Sequence, residues 1–350
     1  MDHLLDRSLE QLTAWLAQQG QPAYRAGQIR RWLFQRRAGA FEEMSDLPSA
    51  LRAELARAWA IWTTRIVAHR KAGDGTEKLL LALADGQQIE CVLLRDDRGH
   101  CNQCLSTQVG CGMGCAFCAT GLDGVVRNLT TGEIVEQMLR LQQLLDPSER
   151  LSHVVAMGMG EPLANLDRLL PALALATAPD GLGISVRRVT ISTVGLPAGI
   201  HRLAEMNCPY HLAVSLHAAN DALRDRLVPA NRNVGIAAIM AAADAYFAAT
   251  ARRVTFEYVL LGEVNDRAED AAALVSLLRG RSALVNLIPF NPVPGLPFRE
   301  PGAASVIRFT EALTRGGLTV AVRHRKGQPI DAACGQLRRS GPEESRGAGE

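Results

Sequence analysis

A cluster of cysteines constrains this sequence more than any other feature. Five of the eight cysteines fall between Cys101 and Cys118, and three of them, Cys111, Cys115 and Cys118, have the spacing C-x3-C-x2-C. Three thiolates at this spacing on one loop can bind three irons of a cubane iron–sulfur cluster and leave the fourth iron open to a small molecule. The spacing therefore predicts a [4Fe-4S] cluster with one open coordination position.

Two alternatives to an iron–sulfur cluster stay open at this point. A structural zinc site needs four ligands, usually as two C-x2-C pairs or a Cys/His set. The second alternative is that the cysteines are inert core residues, which are common in general. These five lie among glycines and small residues, which is not typical of core packing. The C-x3-C-x2-C spacing is typical of radical S-adenosylmethionine proteins, so it also predicts S-adenosylmethionine as a cofactor.

The composition indicates a soluble globular protein. The chain has 350 residues, of which 47% are hydrophobic and 21% charged, and these are ordinary values. Its formal charge of +2 means that a nucleic acid would have to be bound by a local patch. We find no apolar run long enough to span a bilayer and no signal peptide at the N-terminus. Clustered cysteines in such a chain predict a cytoplasmic protein.

Residues 1–60 are predicted to be a small helical accessory domain. Leu5, Leu9, Leu12 and Leu16 recur at helical spacing. The segment 24–37 then contains five arginines and no acidic residue, interleaved with aromatic side chains. It is either an RNA-binding surface, with arginines on phosphates or bases, or a solvated helix face.

Residues 61–100 are predicted to form a β-hairpin extension. Asp74-Gly75 and Asp85-Gly86 are turn signals between apolar runs. The predicted strands are Ile61–His69, Glu77–Ala84 and Gln87–Leu94. The polar connector that ends at His100 marks the expected domain boundary.

Residues 101–340 are predicted to alternate strands and helices. The capping-box spacing of Thr130 and Glu133 marks the start of the first helix. Six strand–helix units predict an α/β fold with a parallel sheet, here a partial (β/α)6 barrel, followed by a last strand at Leu318–Arg323 and a disordered tail, 341–350. The six predicted strands are Leu105–Val109, Val154–Met157, Arg188–Ser192, Leu212–Leu216, Val254–Leu260 and Leu284–Ile288.

Polar residues follow the predicted strands, where the binding residues of a βα barrel lie. The segment Gly158–Leu163 combines glycines that permit close approach of a ligand, among them Gly160, with Glu161, an acceptor for an ammonium group. It predicts the site for the amino group of S-adenosylmethionine. The other candidates for binding this cofactor are Ser192, Ser215, Leu216, His217 and Asn291.

Three further cysteines lie outside the cluster. Cys91 and Cys208 are predicted to be core residues. Cys334 lies among small residues after the last strand, and it is either a nucleophile or a small buried side chain.

With these residues, the chain resembles the radical S-adenosylmethionine RNA methyltransferases that modify adenine. The resemblance extends from about Pro22 to Leu337 and is closest to the dual-specificity adenine-C2 branch. The motifs that carry it are Gly75–Lys78, Ile89-Glu90, Cys104–Cys118, Arg127–Thr130, Gly158–Leu163, Ser215–His217 and Ala332–Leu337.

The resemblance implies a reaction and roles for residues. The substrates are an adenosine in the peptidyl-transferase centre of 23S rRNA and the adenosine 3′ of the anticodon in tRNA. Cys334 corresponds to the cysteine that one S-adenosylmethionine methylates, while a second is cleaved to a radical, which makes two per turnover. Cys104 corresponds to the resolving cysteine that forms a transient disulfide with Cys334, and Glu90 to the proton acceptor. The alternative for Glu90 is an ordinary outward-facing carboxylate of a strand.

The resemblance also implies a reduced flavodoxin- or ferredoxin-type electron donor and a monomeric enzyme. Two departures are Cys101, which has no role in the family pattern, and Gln328-Pro329, which replaces an acidic pair. Two rival functions are the sister branch that methylates carbon 8 of the ribosomal adenine and confers antibiotic resistance, and a non-catalytic RNA-binding protein with a structural zinc. Pro162 and Phe290-Asn291-Pro292 favour carbon 2.

Overall fold

The computed structural model describes residues 2–323 and 326–338. Residues 2–60 form three α-helices, closed by a short parallel pairing of β1 (Asp2–His3) with β2 (Trp59–Ala60). Each helix buries a stripe of leucine or isoleucine side chains in a core that continues into the rest of the protein. The helices are α1 (Leu9–Gln18), α2 (Tyr24–Phe34) and α3 (Ser49–Ala58).

The next strands continue into the main sheet. Strands β3, β4, β5 and β6 pair antiparallel in sequence, and β6 then pairs parallel with β9. The sheet therefore runs without a break across residue 100, where the sequence suggests a domain boundary. The bounds are β3 (Arg65–Lys71), β4 (Glu77–Ala82), β5 (Gln88–Arg95) and β6 (Cys101–Cys104).

Seven parallel strands form the α/β part, as the sequence predicts. Within the described residues the main sheet has ten strands in the order β14-β13-β12-β11-β10-β9-β6-β5-β4-β3, and β7 with β8 makes a separate two-stranded ribbon. The fold class is confirmed. The remaining strands are β7 (Gln108–Gly110), β8 (Val125–Asn128), β9 (Leu151–Ala156), β10 (Val189–Thr193), β11 (His211–Ser215), β12 (Val254–Leu260), β13 (Ala283–Pro289) and β14 (Thr319–Val322).

Helices connect consecutive parallel strands. The first of them, α4, begins with the predicted capping box, in which the Thr130 hydroxyl accepts from the Glu133 N–H and the Glu133 carboxylate accepts from the Thr130 N–H. The helices are α4 (Thr131–Gln142), α5 (Leu166–Thr177), α6 (Pro197–Glu205), α7 (Asp221–Leu227), α8 (Ile236–Thr250), α9 (Ala268–Leu278) and α10 (Ala303–Arg315). No helix in the described part of the chain is long and apolar enough to cross a membrane.

The predicted strand Leu105–Val109 is wrong as a strand of the main sheet: its first three residues are not in a strand, and its last two belong to β7 of the separate ribbon. The first parallel strand is β6, and the chain leaves the sheet at its end. The buried segment that follows is hydrogen-bonded to side chains and loops: the Ser106 N–H donates to Gln137 Oε1 at 2.9 Å, and the Thr107 N–H donates to the Met159 carbonyl at 2.7 Å. An apolar run can thus be buried by a loop as well as by a strand. The predicted tail 341–350 lies outside the described residues.

Candidate active site

The three cluster cysteines lie on the loop between β7 and β8. The Cys111 N–H donates to the Gly124 carbonyl at 2.9 Å, which closes the base of the loop. Gly110 stands at this closure with a φ of 74°, and a Cβ there would lie 2.0 Å from the Gly124 carbonyl oxygen. Only glycine fits this position. Cys111, Cys115 and Cys118 are half-buried and line one cavity at the ends of the parallel strands.

The three thiols fit an iron–sulfur cluster chemically. Burial raises the pKa of Cys111 to about 11 and also raises the pKa values of Cys115 and Cys118, and the neighbouring thiols of Cys111 and Cys118 add to the effect at Cys115. Positive iron would favour the thiolates instead. In residues 2–323 and 326–338 no three His, Cys, Asp or Glu side chains converge to hold a single metal ion. A cubane does not require that, because each thiolate binds a different iron.

Glu161 is a buried carboxylate in the same cavity. It is 2% exposed, and its two oxygens accept from the backbone N–H groups of Leu163 at 2.9 Å and Val194 at 2.8 Å. Burial raises the pKa of Glu161 to about 7, against the lowering by these hydrogen bonds. No cation of the described chain is paired with it. An ammonium ligand would offset the cost of burying this charge.

The glycines before Glu161 permit close packing of two segments. A Cβ at Gly158 would lie 2.7 Å from the carbonyl oxygen of Leu105, whose carbonyl also accepts from the Gly158 N–H at 2.9 Å. Gly160 has a φ of 103°, and a Cβ there would lie 2.6 Å from the Gln108 side chain. Both glycines are therefore needed to place Glu161 opposite the cysteine loop.

The other predicted cofactor residues meet at this cavity, with one exception. Ser192, Ser215, His217 and Asn291 line it, whereas the Leu216 side chain packs into the main core. Leu216 can therefore meet a ligand only through its backbone.

Two of these side chains have polar atoms free for a ligand. His217 Nδ1 accepts from the Val259 N–H at 3.0 Å, which leaves Nε2–H as a donor. Burial lowers the pKa of His217 to about 3, so the ring is neutral. Asn291 is 4% exposed, and its Oδ1 is buried without a hydrogen-bond partner. A buried acceptor of this kind indicates that a polar ligand completes the site, and S-adenosylmethionine, with amino, hydroxyl and adenine groups, fits.

Cys334 occupies the cavity next to the cluster cysteines. One cavity is lined by Cys104 and Cys334, and it shares Cys118, Asn291 and Arg323 with the cavity that contains the cluster cysteines. Arg323 Nη1 lies 3.5 Å from the Cys334 sulfur, and this neighbouring thiol raises the pKa of the guanidinium. Arg323 therefore directs a hydrogen-bond donor at the Cys334 sulfur.

Cys104 is buried at the end of β6. Burial raises its pKa to about 12, with a further contribution from Cys334 and an opposing one from Arg323. All eight cysteines are free thiols in this structure, so the implied disulfide between Cys104 and Cys334 is not formed.

Glu90 lies on β5 and lines a different cavity from the thiol of Cys334. It is 5% exposed and ion-paired with Lys78 at 2.8 Å, and its Oε2 accepts from the Arg338 N–H at 3.0 Å. Burial raises the pKa of Glu90, and the Lys78 ammonium opposes this. Glu90 is therefore not an outward-facing carboxylate. It contacts the backbone of the segment that carries Cys334 rather than the sulfur itself.

The remaining cysteines are buried away from the cluster. Cys91 and Cys208 belong to the main core, as the sequence predicts. Cys101 is 1% exposed, with its sulfur 3.6 Å from Glu149 Oε1. The structure gives Cys101 no place in either cavity of the cluster region.

The arginines of the N-terminal segment divide between two environments. Arg30 is ion-paired with Asp180 at 3.1 Å, and Arg37 donates to the Leu145 carbonyl at 2.9 Å, so both contact the α/β part. Arg31 and Arg36 are exposed. Only part of this segment is therefore free to contact RNA.

Arg224 is a site residue that the sequence alone does not indicate. It is 1% exposed and donates to the Leu216, Ser215 and Val194 carbonyls, so it ties together the ends of β10 and β11. In the sequence, its burial is indicated only by its position three residues before Leu227, on the same face of α7. Arg323 and Lys78 likewise become recognisable only through their tertiary contacts.

Comparison with known proteins agrees with this geometry. Residues 105–275 match the model of the radical SAM superfamily, and residues 3–61 match that of the ribosomal RNA large subunit methyltransferase N-terminal domain. A crystal structure of a radical SAM methyltransferase from Sphaerobacter thermophilus is similar, with a TM-score of 0.93 and 42% identity over 97% of this chain and 99% of that one.

Curated relatives cover nearly the whole chain. A protein of Rhodopirellula baltica named "Probable dual-specificity RNA methyltransferase RlmN" is 60% identical over 97% of this chain and 91% of its own length. A protein of the same name from Moorella thermoacetica is 48% identical over 96% of each chain. The chain belongs to the RlmN family of radical S-adenosylmethionine RNA methyltransferases.

Proposed function

We propose that this protein methylates carbon 2 of an adenine in 23S rRNA and of the adenosine 3′ of the anticodon in tRNA. The names of the relatives, dual-specificity RNA methyltransferases, support two RNA substrates. Pro162 and Phe290-Asn291-Pro292 favour carbon 2 over carbon 8, and Pro162, Phe290 and Asn291 line the cavity with the cluster cysteines.

One observation carries the proposal: Cys334 and Cys104 share a cavity that adjoins the three cluster cysteines. Carbon 2 of adenine is an electron-poor amidine carbon that does not attack the methyl group of a sulfonium. A cysteine sulfur is a nucleophile that can do so, and the Cys334 sulfur lies 3.5 Å from Arg323 Nη1. A nucleophilic cysteine next to a radical-generating site suits methyl transfer to such a carbon.

The residues that line this cavity fit both cofactors. Cys111, Cys115 and Cys118 hold the [4Fe-4S] cluster. Glu161 receives the amino group of S-adenosylmethionine, and Ser192, Ser215, His217, Asn291 and the backbone of Gly160 and Leu216 hold the rest. A cluster held by these cysteines would supply the electron for reductive cleavage of S-adenosylmethionine and would accept the electron released when the adenine ring is restored.

Cys334 carries the group that is transferred. Its sulfur would take a methyl group from a first S-adenosylmethionine by displacement, with S-adenosylhomocysteine as the leaving group, and the S-methyl group would then give up a hydrogen atom to the cleavage product of a second S-adenosylmethionine. The sulfur-bound methylene radical adds to carbon 2, forming a carbon–carbon bond. Glu90 takes the proton from carbon 2.

Cys104 releases the product. Its thiolate attacks the Cys334 sulfur and forms a disulfide, and the carbon–sulfur bond breaks. The electron pair of that bond stays on the product carbon, which is protonated to a methyl group. The disulfide must then be reduced, which is compatible with a reducing cytoplasm.

The partners follow from the same parts of the chain. The helical domain of residues 1–60, with Arg31 and Arg36 exposed, helps to bind RNA, and the hairpin of 61–100 supplies Glu90 to the core domain of 101–340. The electron donor is a reduced flavodoxin or ferredoxin. The enzyme acts as a monomer in the cytoplasm.

The test of the function is the modified nucleoside. RNA from cells with and without the protein is digested and analysed by mass spectrometry. We expect 2-methyladenosine in 23S rRNA and in tRNA only when the protein is present. If 8-methyladenosine is the main product, the carbon-2 assignment is wrong.

Cys334→Ala tests the methylated cysteine. We expect loss of all methyl transfer with the iron content and cleavage of S-adenosylmethionine retained, since Cys334 is not a cluster ligand. Cys208→Ala, a core cysteine outside the site, is the control and should keep methyl transfer. A Cys334→Ala enzyme that still methylates RNA would exclude this mechanism.

A further inference from the structure

A lysine buried in the sheet carries the next inference. Lys78 lies on β4 and is 6% exposed, although lysine is almost never buried unless it is paired. Its Nζ lies 2.8 Å from Glu90 Oε1 and donates to the Asp331 carbonyl at 2.9 Å. Lys78 therefore connects the hairpin with the C-terminal segment.

The ion pair touches both sides of the loop that carries Cys334. Lys78 binds the carbonyl of Asp331, three residues before Cys334, and Glu90 accepts from the N–H of Arg338, four residues after it. The same segment is bound to the hairpin again at Gly327, whose N–H donates to Asp74 Oδ2 at 2.8 Å. The Cys334 loop is thus placed by the strands that hold Glu90.

The charged groups around Glu90 come from three elements. They are Arg70 on β3, Lys78 on β4, and Asp331 and Arg338 on the C-terminal segment, while the thiol of Cys91 is the neighbouring titratable group on its own strand. Arg70, Asp331 and Arg338 are exposed, and the Arg70 guanidinium lies 3.9 Å from the Asp331 carboxylate.

The other neighbours of Glu90 carry no charge. The Ser106 hydroxyl donates to the Glu90 carbonyl at 2.6 Å, and the Glu90 N–H faces the Met159 sulfur at 3.4 Å. Ala119, Val293 and Pro294 line the same cavity. Among the described charged neighbours, the buried cation is Lys78.

We propose that Lys78 is a positioning residue for Glu90, with whose carboxylate it is ion-paired and which it holds against the Cys334 loop. The proposal rests on the proposed role of Glu90 as proton acceptor. The step concerned is a proton transfer: the C–H bond at carbon 2 of the adduct breaks, its electron pair stays in the ring, and the proton goes to a Glu90 oxygen. Each oxygen keeps a second lone pair for that purpose beside its existing contact.

The effect of Lys78 has a definite sign. Burial raises the pKa of Glu90 and the Lys78 ammonium opposes it. An opposite charge within about 4–6 Å changes a carboxyl pKa by about 1–3. Without the Lys78 ammonium, Glu90 is protonated at a higher pH. Because protonated Glu90 cannot accept the proton from carbon 2, the rate of proton removal then begins to fall at a higher pH.

The experiment follows the covalent enzyme–RNA adduct. Reconstituted holoenzyme is mixed with substrate RNA for a single turnover, and the decay of the adduct is measured on denaturing gels between pH 5 and 9. We expect the pH below which the decay rate falls (the acid limb of the pH profile) to be higher by about 1–3 pH units in Lys78→Met. Lys78→Arg, which keeps the cation, should restore the wild-type limb. Lys71→Met, at an exposed lysine of the same hairpin, should not change it.

Glu90→Gln separates this proposal from the proposed function. It should accumulate adduct at every pH. Suppose that Glu90→Gln accumulates the adduct, while Lys78→Met and Lys78→Gln both keep the wild-type pH dependence of adduct decay. Lys78 then does not act on Glu90, and the proposed function is unaffected. If Lys78→Arg moves the limb as far as Lys78→Met, the charge is not the cause and the proposal is overturned. If Glu90→Gln resolves the adduct at the wild-type rate, Glu90 is not the acceptor and both fail.

Discussion

Two buried carboxylates, Glu136 and Glu161, differ in the hydrogen-bond donors and positive charges that the rest of the chain provides for them. Glu136 on α4 has no exposed side-chain area and accepts four hydrogen bonds from the backbone and hydroxyl groups of Thr63 and Thr64. Arg140 lies 3.2 Å away, and His3 lies 3.1 Å away. Glu161, by contrast, has only neutral donors.

The difference is visible in the pKa values. Burial raises the pKa of Glu136, but hydrogen bonds from His3, Thr64 and Thr63 outweigh it and lower the pKa to about 2. Burial dominates at Glu161 and raises its pKa to about 7. A carboxylate that joins parts of the structure is fully partnered by the chain itself. A carboxylate that is kept for a ligand lacks its cation until the ligand binds.

Glu136→Gln should have the largest effect on stability. It removes the charge that joins the N-terminal residues and the hairpin to α4, and breaking a buried pair costs about 3–5 kcal/mol. Urea unfolding measures this. Glu10→Gln, at an exposed position on α1, is the control.

The same carboxylate makes stability depend on pH. The folded pKa of Glu136, about 2, lies below its usual value of 4.5. Its contribution is therefore complete above pH 4.5 and is lost as the pH falls from 4.5 toward 2. Glu136→Gln should flatten the unfolding free energy over this range. An unchanged slope would contradict the role of Glu136 as a structural junction.

Glu161→Gln should have an intermediate effect, and on ligand binding. A hydrogen bond to a charged group contributes about 1.5–3 kcal/mol, so S-adenosylmethionine should bind roughly 10- to 150-fold more weakly. Equilibrium dialysis with the reconstituted holoenzyme measures this. Glu205→Gln, an exposed carboxylate on α6, should bind normally. Equal affinity in Glu161→Gln would remove the distinction between the two carboxylates.

Thr64→Val should have the smallest effect. It removes the Thr64 hydroxyl, whose oxygen lies 2.6 Å from Glu136 Oε1, and keeps the Thr64 N–H as a donor to the same carboxylate. The expected loss of stability is about 0.5–1.5 kcal/mol, with no change in the affinity for S-adenosylmethionine. Any loss of affinity would show that the two regions are coupled.

Local patterns in the sequence were enough to predict the fold class. The capping box at Thr130 and Glu133 and the alternation of strands and helices were confirmed because each depends on neighbouring residues. The strand Leu105–Val109 failed as a strand of the main sheet because residues 105–107 form a buried loop and Gln108 begins β7. The continuity of the hairpin with the barrel sheet depends on pairing between β5 and β6, which composition does not reveal.

The site was predictable only in part. Cysteine spacing and the glycine–glutamate segment indicated which residues to expect at the ends of the strands, and the resemblance supplied candidates elsewhere. The contact of Glu90 with Arg338 joins residues 248 positions apart, and the contact of Lys78 with Asp331 joins residues 253 apart. Such pairs exist only once the sheet and the C-terminal segment have come together, so spacing in the sequence does not predict them.

The continuous sheet has a consequence for protein engineering. Glu90 and Cys104 lie on adjacent strands whose register is fixed by the pairing of Val92 with Cys104. Residues added to the polar loop of 96–100 leave that register unchanged. A single residue inserted in β5 between Glu90 and Val92 would turn the Glu90 carboxylate to the opposite face of the sheet, away from Lys78. We therefore expect changes in the length of the loop 96–100 to be tolerated in this enzyme, and changes in the length of β5 not to be.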